Sequence, residues 1–447
     1  MTATRSTDGE LSTVVSGPGV GRTRQNEIYT AGVHGRKPKV PTNFSELERR
    51  AKAAMSARAW AYIAGGAGDG ATVRANRAAL DRWAIVPRVL RDVSRRSLQT
   101  ELFGDVLPAP VLFAPVGAGA LAAPRADVHI GHAAAELGVP YIFSNQGSAP
   151  MEEVAAEMDS VSKAIETPAP RWFQLYWSVD EDLVDSLLAR AEAMGASAIA
   201  VTLDTTMLGW RPQDLNIGSL PFARGEGIDQ YTSDRRFRDI VVERVKAAAD
   251  AERPEISLGA IKTLVSIARN APGSFLRNLT SPEPRAAVQT FLEIYSRPSL
   301  NWSDIEGLRS RTKLPIVLKG VLHPDDARRS VDAGVDGIIV SNHGGRQVDG
   351  AIGSVDALPD VVDAVDGRIK VLVDSGITSG ADVFKVLALG ADAACIGRPH
   401  MYGLALDGAD GARDVMANII AELDLTLGLS GHTSIADLNV DVLRRIG

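Results

Sequence analysis

Lys370-Val371-Leu372-Val373-Asp374-Ser375-Gly376-Ile377-Thr378-Ser379-Gly380-Ala381-Asp382 passes from an apolar run to a glycine loop and then to a helix start. The run is β-branched and unalternated, as a strand covered on both faces should be. Thr378 and Ser379 are capping candidates for the next helix. The unit recurs along the chain. Strands are expected at 110–114, 141–144, 172–176, 198–203, 315–319, 337–341, 370–374 and 393–397, with helical patterns between them. Eight such units imply an α/β fold of the closed parallel (β/α)8 kind, a TIM barrel. Residues 1–25 read as a disordered polar tail and 26–107 as an N-terminal helical extension. The barrel then fills 108–447, with a lid-like insertion at 212–300 after the fourth strand.

Composition narrows the function. The net charge of -7 disfavours a nucleic-acid or anionic-membrane partner, because neither attracts an acidic surface. Cys395 is the single cysteine, so no internal disulfide forms, and a lone thiol suits a reducing cytoplasm. The uncharged stretch 106–124 holds Pro108, Pro110, Pro115 and Pro124, which would free backbone groups in lipid. It reads as a buried strand with its loop.

A barrel of this kind carries its active site at the carboxyl ends of its strands. In order, those ends are Pro115-Val116-Gly117, Ser144-Asn145-Gln146, Gln174-Leu175-Tyr176, Thr202-Leu203-Asp204, Lys319-Gly320, Ser341-Asn342-His343, Asp374-Ser375-Gly376 and Gly397-Arg398. Polar groups and glycines at all eight favour an enzyme over a barrel used for binding or assembly. The loops after the seventh and eighth strands suit a phosphate, with backbone amides at Gly376 and Gly397 and the guanidinium of Arg398. His343 lies in Ser341-Asn342-His343-Gly344-Gly345-Arg346-Gln347. An imidazole able to take a proton beside a guanidinium able to grip a carboxylate describes a site for a hydroxy acid. Asp204 is placed to orient that imidazole. An inward Lys319 calls for negative charge, which suits a cofactor that gains an electron pair.

Two alternatives fail. Gly117-Ala118-Gly119-Ala120-Leu121-Ala122 matches a dinucleotide pattern, but Pro124 interrupts the helix it needs, and the next strand ends without an acid. No Cys/His/Asp cluster has metal-ligand spacing, so no metal is expected.

The sequence resembles the FMN-dependent 2-hydroxy acid oxidase/dehydrogenase family. The resemblance runs from about residue 26 to the C-terminus and rests on the Ser341–Gln347 motif and on Leu314-Pro315-Ile316-Val317-Leu318-Lys319-Gly320. Within the family, Asn26-Glu27-Ile28-Tyr29, Leu208-Gly209-Trp210-Arg211-Pro212-Gln213-Asp214 and the long insertion are similar to the lactate 2-monooxygenase branch. The resemblance implies FMN as cofactor, a small L-2-hydroxy acid and oxygen as substrates, and a homotetramer or larger assembly. It implies that His343 is the base, assisted by Asp204, with Arg346 and Arg211 on the substrate carboxylate and Tyr62 and Tyr176 contacting substrate. Lys319 would lie against the flavin, Pro115, Val116 and Gly117 would pass beside it, and Ser144, Gln174, Thr202 and Ser341 would hydrogen-bond it. Asp374, Ser375, Gly376, Gly397 and Arg398 complete the expected cofactor site. Lactate would go to acetate, carbon dioxide and water; the alternative is an oxidase or dehydrogenase releasing the 2-oxo acid of a larger or more polar substrate. Two departures stand out. Thr378 replaces a usual Arg, and Gln146 puts an amide where the substrate's side chain is expected to lie.

Overall fold

The computed structural model describes residues 19–247 and 257–446. Eight parallel strands close into a barrel: β1 (Val111–Phe113), β2 (Tyr141–Phe143), β3 (Arg171–Leu175), β4 (Ala198–Thr202), β5 (Ile316–Val321), β6 (Gly337–Val340), β7 (Lys370–Val373) and β8 (Ala393–Ile396). Each strand pairs with its successor, and β8 returns to β1 through Ala394↔Val111, Cys395↔Leu112 and Ile396↔Phe113. All eight lie within two residues of the boundaries expected from sequence.

Side chains alternate across a strand, so one parity faces helices and the other fills the barrel. Val111, Phe113, Tyr141, Phe143, Phe173, Ile199, Val201, Leu318, Ile338 and Val373 join the outer core with the surrounding helices. Leu112, Ile142, Trp172, Ala198, Ala200, Val317, Ile339, Leu372, Ala393 and Cys395 fill the interior. Counting upward by two from the interior set gives 144, 174, 202, 319, 341, 374 and 397. The polar strand ends are therefore the top layers of the barrel interior. Among the described residues no helix is long and apolar enough to cross a membrane.

Two expectations about the surroundings need correction. Residues 1–18 lie outside the described residues, but the stretch expected as tail continues into the helix Gly19–Val33. That helix is held down because the amide of Gly21 donates to Asp424 at 2.9 Å, the same carboxylate that Arg96 grips at 2.8 Å. The extension is also not purely helical. After helices Phe44–Ala54, Ala57–Ala64 and Ala71–Asp81, a hairpin of Thr100–Leu102 and Asp105–Leu107 pushes Leu102, Phe103 and Leu107 against the interior core at the barrel floor. The apolar residues of that hairpin were too few to signal strands. The insertion, in the residues described, carries helices Arg235–Ala247, Leu258–Asn270 and Glu283–Ile294. Phe222, Tyr231, Phe237, Phe291 and Tyr295 give it an aromatic core, with ring centroids 4.8 Å apart for Tyr231 and Phe291. Gln230 and Tyr231 fasten it to the loop after β2, through Ala149 and Asn145.

Candidate active site

The strand β6 ends in Ser341 and the chain turns sharply into a short 3-10 segment, His343–Gly345. His343, Gly344 and Gly345 all have positive φ, +58°, +66° and +74°. A Cβ on Gly345 would stand 2.7 Å from the amide nitrogen of Val73, so glycine alone lets the helix Ala71–Asp81 lie on this loop. Reciprocal side-chain amide bonds between Asn76 and Asn342, at 2.6 and 2.8 Å, lock the two together.

This turn aims His343 into a cavity of about 260 Å³ at the carboxyl ends of the strands. Its Nδ1 faces Asp204 Oδ1 at 2.9 Å, leaving Nε2 for the cavity. Asp204 can sit there because β5 bulges at Gly320, whose φ is +108° and where a Cβ would meet Asp204 at 2.8 Å. Thr205 donates to Asp204 Oδ1 at 3.1 Å. Burial pushes the imidazole below its ordinary range, and the charge of Asp204 offsets this only in part. For Asp204 burial acts upward, but His343 and Lys319 outweigh it and hold the carboxyl below the usual range.

The remaining expected residues fall into three groups. Arg346, Arg211, Tyr62 and Tyr176 line the cavity around His343. Arg346 donates to the carbonyls of Tyr62 and Gly65 and packs over the Tyr62 ring at 4.9 Å; Arg211 donates to the Arg346 carbonyl at 3.2 Å and to Gln347 at 3.1 Å. Among the described residues neither guanidinium donates to a carboxylate. Burial first, then the neighbouring Arg211, lowers Arg346 to about 9, and the charge of Asp214 opposes this only in part. Burial also raises both phenols, so they stay protonated donors.

A second group forms the middle of the cavity. Ala114, Pro115, Val116 and Gly117 make one wall, with Gln174, Lys319 and Cys395 opposite or beneath. Lys319 meets Asp374 at 3.0 Å and Ser341 at 2.9 Å, and those anionic neighbours, Asp374 and Asp204, raise its pKa against the opposing effect of burial. Its negative partner in the protein is therefore Asp374, a pairing the sequence did not suggest. Ser144 donates to Gln174 Oε1 and Gln174 Nε2 donates to Thr202, so these three residues are tied to one another.

The third group lies at the far end. Gly376 (φ +87°), Ile377, Thr378, Gly397 and Arg398 line the cavity there. Helix Arg398–Leu429 begins there, so its first amides and positive dipole end suit an anion. Arg398 donates to the carbonyls of Gly344, Gly65 and Ile63, again without a carboxylate. Ser375 accepts from the amide of Gly344 and donates to Asp374. Beside Thr378 stands Arg77, 3.3 Å from its hydroxyl and paired to Asp382 at 2.7 Å. Arg77, Thr205, Phe222 and Tyr295 were missed in the sequence. Thr205 adjoins Asp204 and could have been noticed; the others arrive by tertiary packing alone.

A cavity that joins a helix start with Arg398, a lysine, and an imidazole with two guanidiniums fits a phosphorylated cofactor and a carboxylate substrate. The family model described as FMN-dependent dehydrogenase matches residues 51–445. The chain belongs to the FMN-dependent dehydrogenase family. An FMN-dependent alpha-hydroxy acid dehydrogenase of Penicillium citrinum is 42% identical over 423 residues, 94% of this chain and 95% of that one. An L-lactate oxidase of Lysinibacillus sphaericus is 40% identical over 403 residues, 90% and 92% of the two chains. A crystal structure of mandelate oxidase with (S)-4-hydroxymandelic acid superimposes with a TM-score of 0.71 at 33% identity, covering 90% of this chain and 98% of that one. As a member of this family the protein is an FMN-dependent 2-hydroxy acid oxidoreductase. The donor set fits FMN: Arg398 and the amides at Gly376 and Gly397 suit its phosphate, and Lys319 suits the charge its ring gains.

Proposed function

We propose that the protein oxidises a small L-2-hydroxy acid to its 2-oxo acid with oxygen as the electron acceptor. The observation that carries this reading is the pair of cavity-lining guanidiniums, Arg346 and Arg211, beside an imidazole backed by a carboxylate. Arg346 and Arg211 would hold the substrate carboxylate, with Tyr62 and Tyr176 as further donors. His343 Nε2 then takes a proton from the substrate while Asp204 stabilises the imidazolium through Nδ1. Bound FMN would supply the acceptor for the electron pair removed from the substrate and the means of passing it to oxygen. Lys319 and the loops at Pro115–Gly117, 374–376 and 397–398 would hold that cofactor, with Ser144, Gln174, Thr202 and Ser341 ordering the floor beneath it.

The fate of the product is a second question. The insertion contributes Phe222 and Tyr295 to the cavity wall and acts as a lid in this reading. A lid that slows release would leave a 2-oxo acid and peroxide together, giving the monooxygenase outcome: lactate plus oxygen yields acetate, carbon dioxide and water. The alternative is release of the 2-oxo acid and peroxide. Anaerobic bleaching of the flavin by L-2-hydroxy acids tests the reaction class. Product analysis under oxygen then separates the outcomes: acetate and carbon dioxide support retention, whereas a 2-oxo acid with equimolar peroxide rejects it. A purified protein that neither holds nor acquires FMN refutes the enzyme reading.

A further inference from the structure

Gln146 extends the loop after β2, only 7% exposed, and its side-chain amide lines the cavity. Its backbone is committed, the amide nitrogen to Ser144 and the carbonyl to Ala118. Its side chain has no hydrogen-bond partner among the described residues. The amide oxygen lies 3.0 Å from where a Cβ of Gly117 would be, and the Tyr62 hydroxyl lies 3.3 Å from the same point. An amide that faces the cavity with no protein partner is free to pair with whatever enters it, and a ligand that covers the amide without pairing with it leaves it unsatisfied.

The barrel's geometry says what that something is. His343 and Arg346 follow β6, and Asp204 and Arg211 follow β4. Gln146 and Gly117 follow β2 and β1, and β2 stands opposite β6 in the closed ring. A 2-hydroxy acid held by carboxylate and hydroxyl on the β4–β6 arc turns its remaining substituent toward β1 and β2. The charges lining the cavity are Glu48, Arg77, Arg211, Lys319, His343, Arg346, Asp374 and Arg398, and none comes from the β1 or β2 loops. A second carboxylate would meet no cation there, and a bare alkyl group would leave the amide unpaired.

Building on the proposed function, we propose that the protein is selective for 2-hydroxy acids with a neutral hydrogen-bonding group on the carbon next to the reacting one, read by Gln146. L-Glycerate and L-2-hydroxybutyrate are near-isosteric probes, differing by hydroxyl against methyl, and L-malate adds a charge.

The experiment measures anaerobic flavin reduction by these three acids in the FMN-loaded protein and in Gln146→Leu, together with FMN affinity by fluorescence titration. The expected result is a kcat/KM for L-glycerate about tenfold or more above L-2-hydroxybutyrate, reversed in Gln146→Leu, because a site built to bind a hydroxyl penalises its absence. FMN affinity stays unchanged. Equal rates for the two probes, a ratio unaffected by Gln146→Leu, or L-malate as the best of the three overturns the proposal. So does a large loss of FMN affinity in Gln146→Leu, which would assign the amide to the cofactor. Bleaching with the wrong preference removes only this inference; failure of every acid to bleach bound flavin removes the underlying function as well.

Discussion

His343 holds a φ of +58°, a region that residues with a Cβ seldom occupy, and its Nδ1 bonds to Asp204 at 2.9 Å. Both constraints serve one orientation, with Nε2 toward the cavity. In the proposed function the neutral imidazole is the base, and burial holds its pKa below the ordinary 6.5. kcat/KM should therefore hold level above that pKa and fall with unit slope as pH drops through it. Asp204 acts to raise that pKa, so Asp204→Asn should move the acid limb to lower pH while lowering the plateau. A pH profile of anaerobic flavin reduction checks this, and a limb that moved upward would refute the assignment. His343→Gln should keep FMN bound and cost about 10²- to 10⁴-fold in flavin reduction, the usual worth of a positioned base.

Among the elements, the contact between helix Ala71–Asp81 and the His343–Gly345 turn does the most to assemble the site. The helix brings Asn76 to Asn342 and Arg77 to Thr378, two cross-links from an extension remote in sequence. The approach depends on Gly345. Gly345→Ala would force a Cβ to within 2.7 Å of the Val73 nitrogen at a φ of +74°. We expect a stability loss of about 1–3 kcal/mol, seen as a lower Tm, and weaker FMN binding because Gly344 and Arg398 move with the turn. Thermal melts with and without FMN measure both, and an unchanged Tm would show that the turn tolerates the side chain.

For the whole molecule, the barrel separates stability from chemistry along its axis. Trp172 is 1% exposed in the lower interior and packs against Phe103 of the floor hairpin, with centroids 5.4 Å apart. Trp172→Ala should cost about 3–5 kcal/mol and lower the Tm by several degrees. The kcat/KM of the folded protein should be unchanged, because the cavity opens at the other end; a parallel fall in kcat/KM at a temperature where the variant is folded would contradict that separation. At the upper end, residues from the ends of all eight strands meet parts of the extension and the insertion, so no single segment contains the site.

Local patterning determined a great deal. Unalternated apolar runs at 370–374 and seven other places specify strands buried on both faces, and glycine loops and caps specify the turn and the helix start after each. Because barrel interiors have period two, the polar residues at the strand ends share one cavity once the ring is closed, and His343, Asp204, Arg346 and Lys319 were legible for that reason. The tertiary structure decided the contacts made across long sequence separation, where local pattern carries no signal. Asp374 as partner to Lys319, Arg77 beside Thr378, the hairpin beneath the barrel, Phe222 and Tyr295 at the cavity wall, and Gln146 in the same cavity as His343 all depend on which surfaces meet. Those meetings are set by packing and ring closure, not by neighbours along the chain.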